Sequence, residues 1–350
     1  MFTPAANPII TAGGRRFTRS PLRMAPVAPV WQPDPLTTPI PADAWRALQL
    51  GRCAEKVRIQ AFARGCRELG GQVMTLDESY GSKLDQVLRA GNVALCFTSG
   101  MHAPEDLARG LCAGHGVPLV ILDLGYLKRA QHPQDAGGYN QVGLNHSCWI
   151  PPTEQPADRW EALGVELKPP RPADRPPVAL VLGQMPNDSQ HGLTAMQLIA
   201  YLSERAAFWH ARGYAIHYRP HPAAMVVALR GVGSVTLRQS NEESLARALA
   251  DARVAVTFNS TAGLEALLEG VPVDCAPTAH YAEVASYGWE ETPESPPLAR
   301  SVMEAYLHRL AYGQWTVPEL QAGAPLRFLA PLGIPKLQAI LAEHQKEATS

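Results

Sequence analysis

Three short stretches of this 350-residue chain pair anion-binding side chains with backbone suited to holding them still. "YRPHP", residues 218–222, sets Arg219 and His221 between prolines. Pro220 and Pro222 fix their own φ and bias the preceding residues toward extended backbone, so both cations are presented at low entropic cost. "NSTAGLEAL" begins with Asn259, Ser260 and Thr261, all good N-cap types, ahead of an apolar-periodic helix. Free N–H groups and hydroxyls at such an end suit a phosphate; Gly263 in the first turn would leave room for its approach, and Glu265 could accept from a ribose. The plain alternative is a capped helix with Glu265 in solvent. "QMPNDSQ" adds Gln184 and Asp188 in a loop stiffened by Pro186, alternatively a turn with an Asx cap for the next helix. Two residues of the first half are candidate general bases: Asp123 in "DLGYLKR" and His102 in "TSGMHAPEDL". Either could equally be a structural polar residue at a turn.

The elements that must position them alternate. "QVMTL", "NVALCFT" and "VPLVILDL" are short aliphatic or β-branched runs parted by polar, Gly-containing or helical segments, as in parallel strands buried on both faces. Before them, "AWRALQLGRCAEKVRIQAFARGCRELGG" places Ile59, Phe62, Ala63 and Cys66 at helical spacing and stops at Gly70 and Gly71, a helix leading into a strand. The alternation restarts with "VALVLG", the helical "LTAMQLIAYLSERAAFWHARG", "YAIHY", "RVAVTF", "STAGLEALLEG" and "VPVDC". Each of the three chemistry-bearing stretches therefore follows a predicted strand, at the carboxyl edge where open α/β sheets bind ligands. The fold class is α/β, with two Rossmann-like domains facing a cleft. Residues 1–42 form an extended Pro/Arg-rich arm, 43–150 the first domain, 151–177 a proline-dense linker, 178–297 the second domain, and 298–350 a helical segment interrupted at Gly313 and Pro318.

Bulk composition narrows the function classes. With 31 basic and 32 acidic residues the net charge is -1, so no global field draws the chain to nucleic acid or membrane. Affinity of that kind must be local, and the arm supplies a candidate: Arg15, Arg16, Arg19 and Arg23, with no acidic residue through position 33. That patch suits a polyanion such as duplex DNA, or merely aids solubility. The six cysteines are scattered without zinc-ligand spacing, and neither an H-E-x-x-H nor a D-x-D motif occurs, so metal is not expected to be required. No run reaches the roughly 18 apolar residues of a membrane span, and the prolines after the N-terminal arginines break any signal-peptide core. The expectation is a cytoplasmic protein with reduced cysteines.

"GQMPNDSQ", "YRPHP", "FNSTAGLEALLEGVPV" and "DLGYLKR", with "GLNHS" downstream of the last, resemble signatures of the capsule polysaccharide biosynthesis family of GT-B glycosyltransferases, which includes bacterial Kdo transferases. The resemblance runs from about Asp123 to Val273. It implies a nucleotide-sugar donor, used as co-substrate with no tightly bound cofactor and held mainly by the second domain. Arg219 and His221 would meet donor phosphate or carboxylate, Ser260 and Thr261 the phosphate, and Glu265 the nucleoside, with Gln184 and Asp188 lining the pocket. Asp123-Leu124 stands where those enzymes usually carry paired acidic residues, and this chain has a single short module. Its compact form and "LAYGQWTVPEL" are similar to bacteriophage proteins suspected of glycosylating hydroxymethylated pyrimidines in DNA. Duplex DNA carrying 5-hydroxymethylpyrimidines is thus the acceptor expected. Capsule-type transfer to a glycolipid, sugar-nucleotide epimerisation and nucleotide-sugar binding without turnover are the other readings.

Overall fold

The computed structural model describes residues 44–349 except 52–55, 77–79, 101–103, 130–134, 172–176, 189, 224–228, 240–241 and 288–297. In chain order the first half runs β1 (Trp45–Leu50), α1 (Val57–Glu68), β2 (Gly71–Leu76), α2 (Tyr80–Arg89), β3 (Leu95–Ser99), α3 (Pro104–Gly114), β4 (Leu119–Leu124) and β5 (Tyr139–Leu144). After α4 (Asp158–Leu163) come β6 (Val178–Leu182), α5 (Ala195–His210), β7 (Ala215–Arg219), β8 (Val235–Leu237), α6 (Leu245–Ala250), β9 (Val254–Val256), α7 (Thr261–Leu268) and β10 (Val273–Asp274). The chain closes with α8 (Arg300–Ala311), β11 (Gln314–Thr316), α9 (Val317–Gln321), α10 (Ala324–Gly333) and α11 (Pro335–Thr349).

Two sheets carry the fold. The first has the order β11-β5-β4-β3-β1-β2, and the second β10-β9-β6-β7-β8. All pairings in the second sheet are parallel, as are β2-β1-β3-β4 in the first, whereas β5 pairs antiparallel with both β4 and β11. Residues 45–50, part of the stretch that the spacing assigned to a helix, form β1; the helix begins only at Val57. All six residues of β1 are buried, so the strand shows no polar alternation to separate it from the helix that follows.

The proline-dense segment is more than a linker. It contains α4, buries Leu163 and Leu167 in the second core, and through Arg159 holds the C-terminal segment. Arg159 Nη1 donates to Glu319 at 2.6 Å, Nη2 donates to the Gln314 carbonyl at 2.8 Å, and the guanidinium lies 4.0 Å from the Trp315 ring centroid. The C-terminal segment also divides. Met303, Tyr306, Leu307 and Leu310 of α8 pack into the second core. Trp315, Leu320, Leu326, Leu329 and Leu337 return to the first, alongside Trp45, Phe62 and Phe97. No helix among the described residues is long and apolar enough to cross a membrane.

Candidate functional site

Asp123 is the next-to-last residue of β4, 4 % exposed. Its Oδ1 accepts from the Leu124 N–H at 2.7 Å and lies 3.7 Å from Arg58 Nη2, while its Oδ2 accepts from Gln190 Nε2 at 3.4 Å. Burial pushes this carboxyl above the ordinary value; the Leu124 N–H, Arg58 and Gln190 pull it back, and Asp188 adds to the rise. A buried carboxylate of raised proton affinity at a strand's carboxyl edge is suited to accept a proton from a hydroxyl.

Gln190 belongs to the opposite half, in the loop after β6, and its backbone carbonyl accepts from Asn259 Nδ2 at 3.3 Å. Asn259 Oδ1 accepts in turn from Gln184 Nε2 at 2.8 Å. Gln184 Oε1 gathers three donors at 3.0 Å each: Thr257 Oγ1, Phe258 N–H and Asn259 N–H. A continuous line of hydrogen bonds thus runs from Asp123 on the first sheet to the segment feeding α7 on the second. Gln184 serves that line as a brace between the ends of β6 and β9. Gln190 lies inside the quoted "QMPNDSQ" motif, yet only the fold reveals its reach to Asp123, because that contact spans 67 positions of sequence.

Asp188 shapes the same loop, its Oδ1 accepting from the Gln190 N–H at 2.9 Å. His221 sits just beyond β7, half-buried, and its Nδ1 accepts from the Ala223 N–H at 3.1 Å. Burial lowers its pKa, the Arg129 charge lowers it further, and Asp188 opposes both. The ring is therefore neutral at pH 7, with its proton on Nε2, a hydrogen-bond donor. Close packing here depends on Gly183: a Cβ there would lie 3.0 Å from His221 N and 3.1 Å from Pro220 Cα.

Arg219 ends β7, and its Nη1 is buried without a hydrogen bond among the described residues. Burial lowers its pKa, the nearby Glu243 opposing and Arg238 adding. Its field thus couples to the Glu243 and Arg238 side of β7, whereas that of His221 couples to Asp188 and Arg129.

Ser260 caps α7, its Oγ accepting from the Ala262 N–H at 3.3 Å, and Thr261 opens the helix half-buried. Gly263 departs from expectation. The space beside it is filled by protein rather than left for a ligand, since a Cβ would lie 2.2 Å from Tyr281 Oη and 2.5 Å from Cζ. That buried hydroxyl donates to the Ser260 carbonyl at 2.7 Å, so the glycine admits the ring that fixes the helix start. Glu265, one turn along, has its pKa raised by burial and lowered in part by Arg129. Arg129 lies exposed at the end of "DLGYLKR" and acts electrostatically on both Glu265 and His221 of the other half. The motif contained it, but nothing local marked it for the cleft. His102 lies outside the described residues.

No protein-family model and no curated protein matches the chain. Among solved structures it is similar to the KpsC β-Kdo 2,4 transferase of Thermosulfurimonas dismutans at 14 % identity, covering 79 % of this chain and 98 % of that one with a TM-score of 0.50. The same organism's KpsC β-Kdo 2,7 transferase aligns at 15 % identity over 80 % and 99 %, TM-score 0.47. The UDP-GlcNAc 2-epimerase of Methanocaldococcus jannaschii, solved with UDP-GlcNAc and UDP, aligns at 10 % identity over 81 % and 99 %, TM-score 0.34. The likeness to the 2,4 transferase, with the two sheets described above, shows that this chain has a GT-B fold.

Proposed function

We propose that this chain is a glycosyltransferase that moves a sugar from a nucleotide-activated donor to an acceptor hydroxyl. The observation that carries the reading is the line from Asp123 through Gln190 and Asn259 to Gln184, which ties a buried carboxylate on one sheet to the capped start of α7 on the other. Transfer to a hydroxyl needs both: a base on the acceptor side and stabilisation of a departing phosphate on the donor side. Asp123 takes the acceptor proton as the hydroxyl oxygen attacks the anomeric carbon. The bond from that carbon to the phosphate oxygen breaks, and its electron pair leaves with the nucleotide. Ser260, Thr261 and the first N–H groups of α7 meet the growing phosphate charge, joined by the His221 Nε2–H and the Arg219 guanidinium. Glu265 accepts from the donor ribose.

For the acceptor we propose a 5-hydroxymethylpyrimidine in duplex DNA, on the strength of the four arginines between positions 15 and 23. The test is mass spectrometry after incubation with a pool of nucleotide sugars, alone and with hydroxymethylated DNA or a Kdo-primed glycolipid. Sugar added to the DNA supports the full reading. Sugar added to the glycolipid alone retains the transferase and removes the DNA. An isomerised donor with no acceptor present makes the protein an epimerase, and donor binding without turnover makes it a binding module.

A further inference from the structure

At the carboxyl edge of the first sheet, beside Asp123, two cations converge on one neutral oxygen. Lys56 Nζ donates to Ser99 Oγ at 2.9 Å, and Arg58 Nη2 donates to the same atom at 3.2 Å. Lys56 caps the start of α1, Ser99 ends β3, and Asp123 nearly ends β4, so the fold brings one helix start and two strand ends to this point. Arg58 has a charge partner here in Asp123, at 3.7 Å. Among the described residues the Lys56 ammonium donates to a hydroxyl, whose own proton points toward the Gly100 carbonyl at 3.4 Å. A serine oxygen offers two lone pairs and no charge, so two cationic donors on it amount to a site shaped for an anion and occupied by a weak substitute.

The neighbouring backbone passes close to the base. A Cβ on Gly100 would lie 3.0 Å from Asp123 Oδ2, so any side chain there would crowd the carboxylate. Ser99 Oγ and Asp123 Oδ1 lie within about 7 Å of each other, since Arg58 Nη2 is 3.2 Å from one and 3.7 Å from the other. A separation within that bound is no wider than one monosaccharide or nucleoside unit.

We propose that Lys56 and Ser99 form an oxyanion site for the acceptor, holding a phosphate or carboxylate group within one sugar or nucleoside unit of the hydroxyl that Asp123 deprotonates. Lys56 supplies the charge. Ser99 turns its hydroxyl to donate, and Arg58 stays behind as the link between this site and the base. The proposal deepens the transferase reading and rests on Asp123 as the base, but oxyanion binding can be measured with no donor and no turnover.

The experiment titrates inorganic phosphate and, separately, glucuronate into the full-length protein by calorimetry, using wild type, Lys56→Gln, Lys56→Arg and Ser99→Ala. At least one probe is expected to bind wild type in the millimolar range or tighter, to bind Lys56→Gln at least tenfold more weakly, and to bind Lys56→Arg within about threefold of wild type. Ser99→Ala should weaken binding by a smaller factor, and serves as the second variant should Lys56→Gln not fold. Selective binding of phosphate points to a nucleotide or sugar phosphate as the source of the oxyanion; selective binding of glucuronate points to a sugar acid. The proposal is overturned if neither probe binds wild type at 10-fold above that range, or if folded Lys56→Gln and Ser99→Ala both bind within twofold of wild type, the mark of phosphate bound only near α7. Loss of this binding with transfer intact defeats the oxyanion site alone, whereas binding with no transfer to any acceptor defeats the transferase reading alone.

Discussion

Gln184→Ala should weaken both the fold and the donor site, by an amount that follows from the hydrogen bonds at that side chain. The amide makes four: Oε1 accepts from Thr257 Oγ1, Phe258 N–H and Asn259 N–H, and Nε2 donates to Asn259 Oδ1. Each such bond contributes about 0.5–1.5 kcal/mol net, and the two backbone N–H groups left behind cost more if water does not reach them. Gln184 is half-buried, so water recovers part of the loss. A net destabilisation of about 2–4 kcal/mol results, or roughly 3–6 °C in melting temperature for a chain of this size. Gln184→Glu keeps the three acceptor contacts but sets a carboxylate oxygen against Asn259 Oδ1, so it should cost about 1 kcal/mol. Relief comes if the Asn259 amide flips, which gives up its 3.3 Å bond to the Gln190 carbonyl. Differential scanning calorimetry of the three proteins, with donor titrations alongside, reads both effects. A melting temperature for Gln184→Ala within about 1 °C of wild type would refute the brace, and with it the reasoning that this glutamine fixes the entry to α7.

Gly263→Ala should destabilise despite the roughly 1 kcal/mol of helix propensity that alanine brings. The new Cβ collides with the buried Tyr281 ring, 2.2 Å from its hydroxyl, so overpacking and loss of the bond to Ser260 outweigh propensity by about 2 kcal/mol. Urea unfolding checks the sign, and a stabilised variant would mean that the ring moves freely. His280, enclosed by Tyr126, Tyr281 and Tyr306, has its pKa pushed down to about 3 by burial, so the fold holds it neutral. Its contribution to stability is present above the unfolded value near 6.5 and is lost as pH falls from there toward 3, reaching about 2 kcal/mol by pH 5. Denaturant midpoints for wild type and His280→Gln between pH 7 and pH 5 should diverge from each other; parallel curves would exclude His280 as the source.

The apolar runs made the strands β2, β3, β4, β6, β7, β9 and β10 legible: β3, β4, β6 and β9 because a strand buried on both faces shows as a short aliphatic block between polar segments, and the partly exposed β2 and β7 because their aliphatic and aromatic residues still stand between turn signals. β1 was hidden because its burial is unbroken and Arg46 and Gln49 lie inside it, which blurs the start of the helix behind. β5 and β11 were hidden for another reason. β5 folds back antiparallel on β4 and takes the distant β11 on its other side, Gln314 pairing with Gln141, and neither "YNQVGL" nor "QWT" carries a local signal for such pairing. At the candidate site, the three strand-end motifs marked the neighbourhood, since turn and cap chemistry is local. What they did not contain was direction: the reach of Gln190 to Asp123, the Arg129 field on His221 and Glu265, and the Tyr281 ring over Gly263 all arise from packing between segments far apart in the chain.

If Asp123 takes the acceptor proton in a sugar transfer, Asp123→Asn must slow that transfer. Burial disfavours the ionised carboxyl, but the amide also removes the carboxylate 3.7 Å from the buried Arg58, so the melting temperature of Asp123→Asn is measured first and rates are compared on folded protein. The amide keeps an oxygen for the Leu124 N–H but cannot take a proton. The measurement pairs the single-turnover transfer rate, read by mass spectrometry of the glycosylated product, with the donor dissociation constant of the same preparations. Asp123→Asn should lower the rate by about 10²-fold or more, with donor affinity within about twofold of wild type. Transfer by folded Asp123→Asn at the wild-type rate would contradict that role for Asp123.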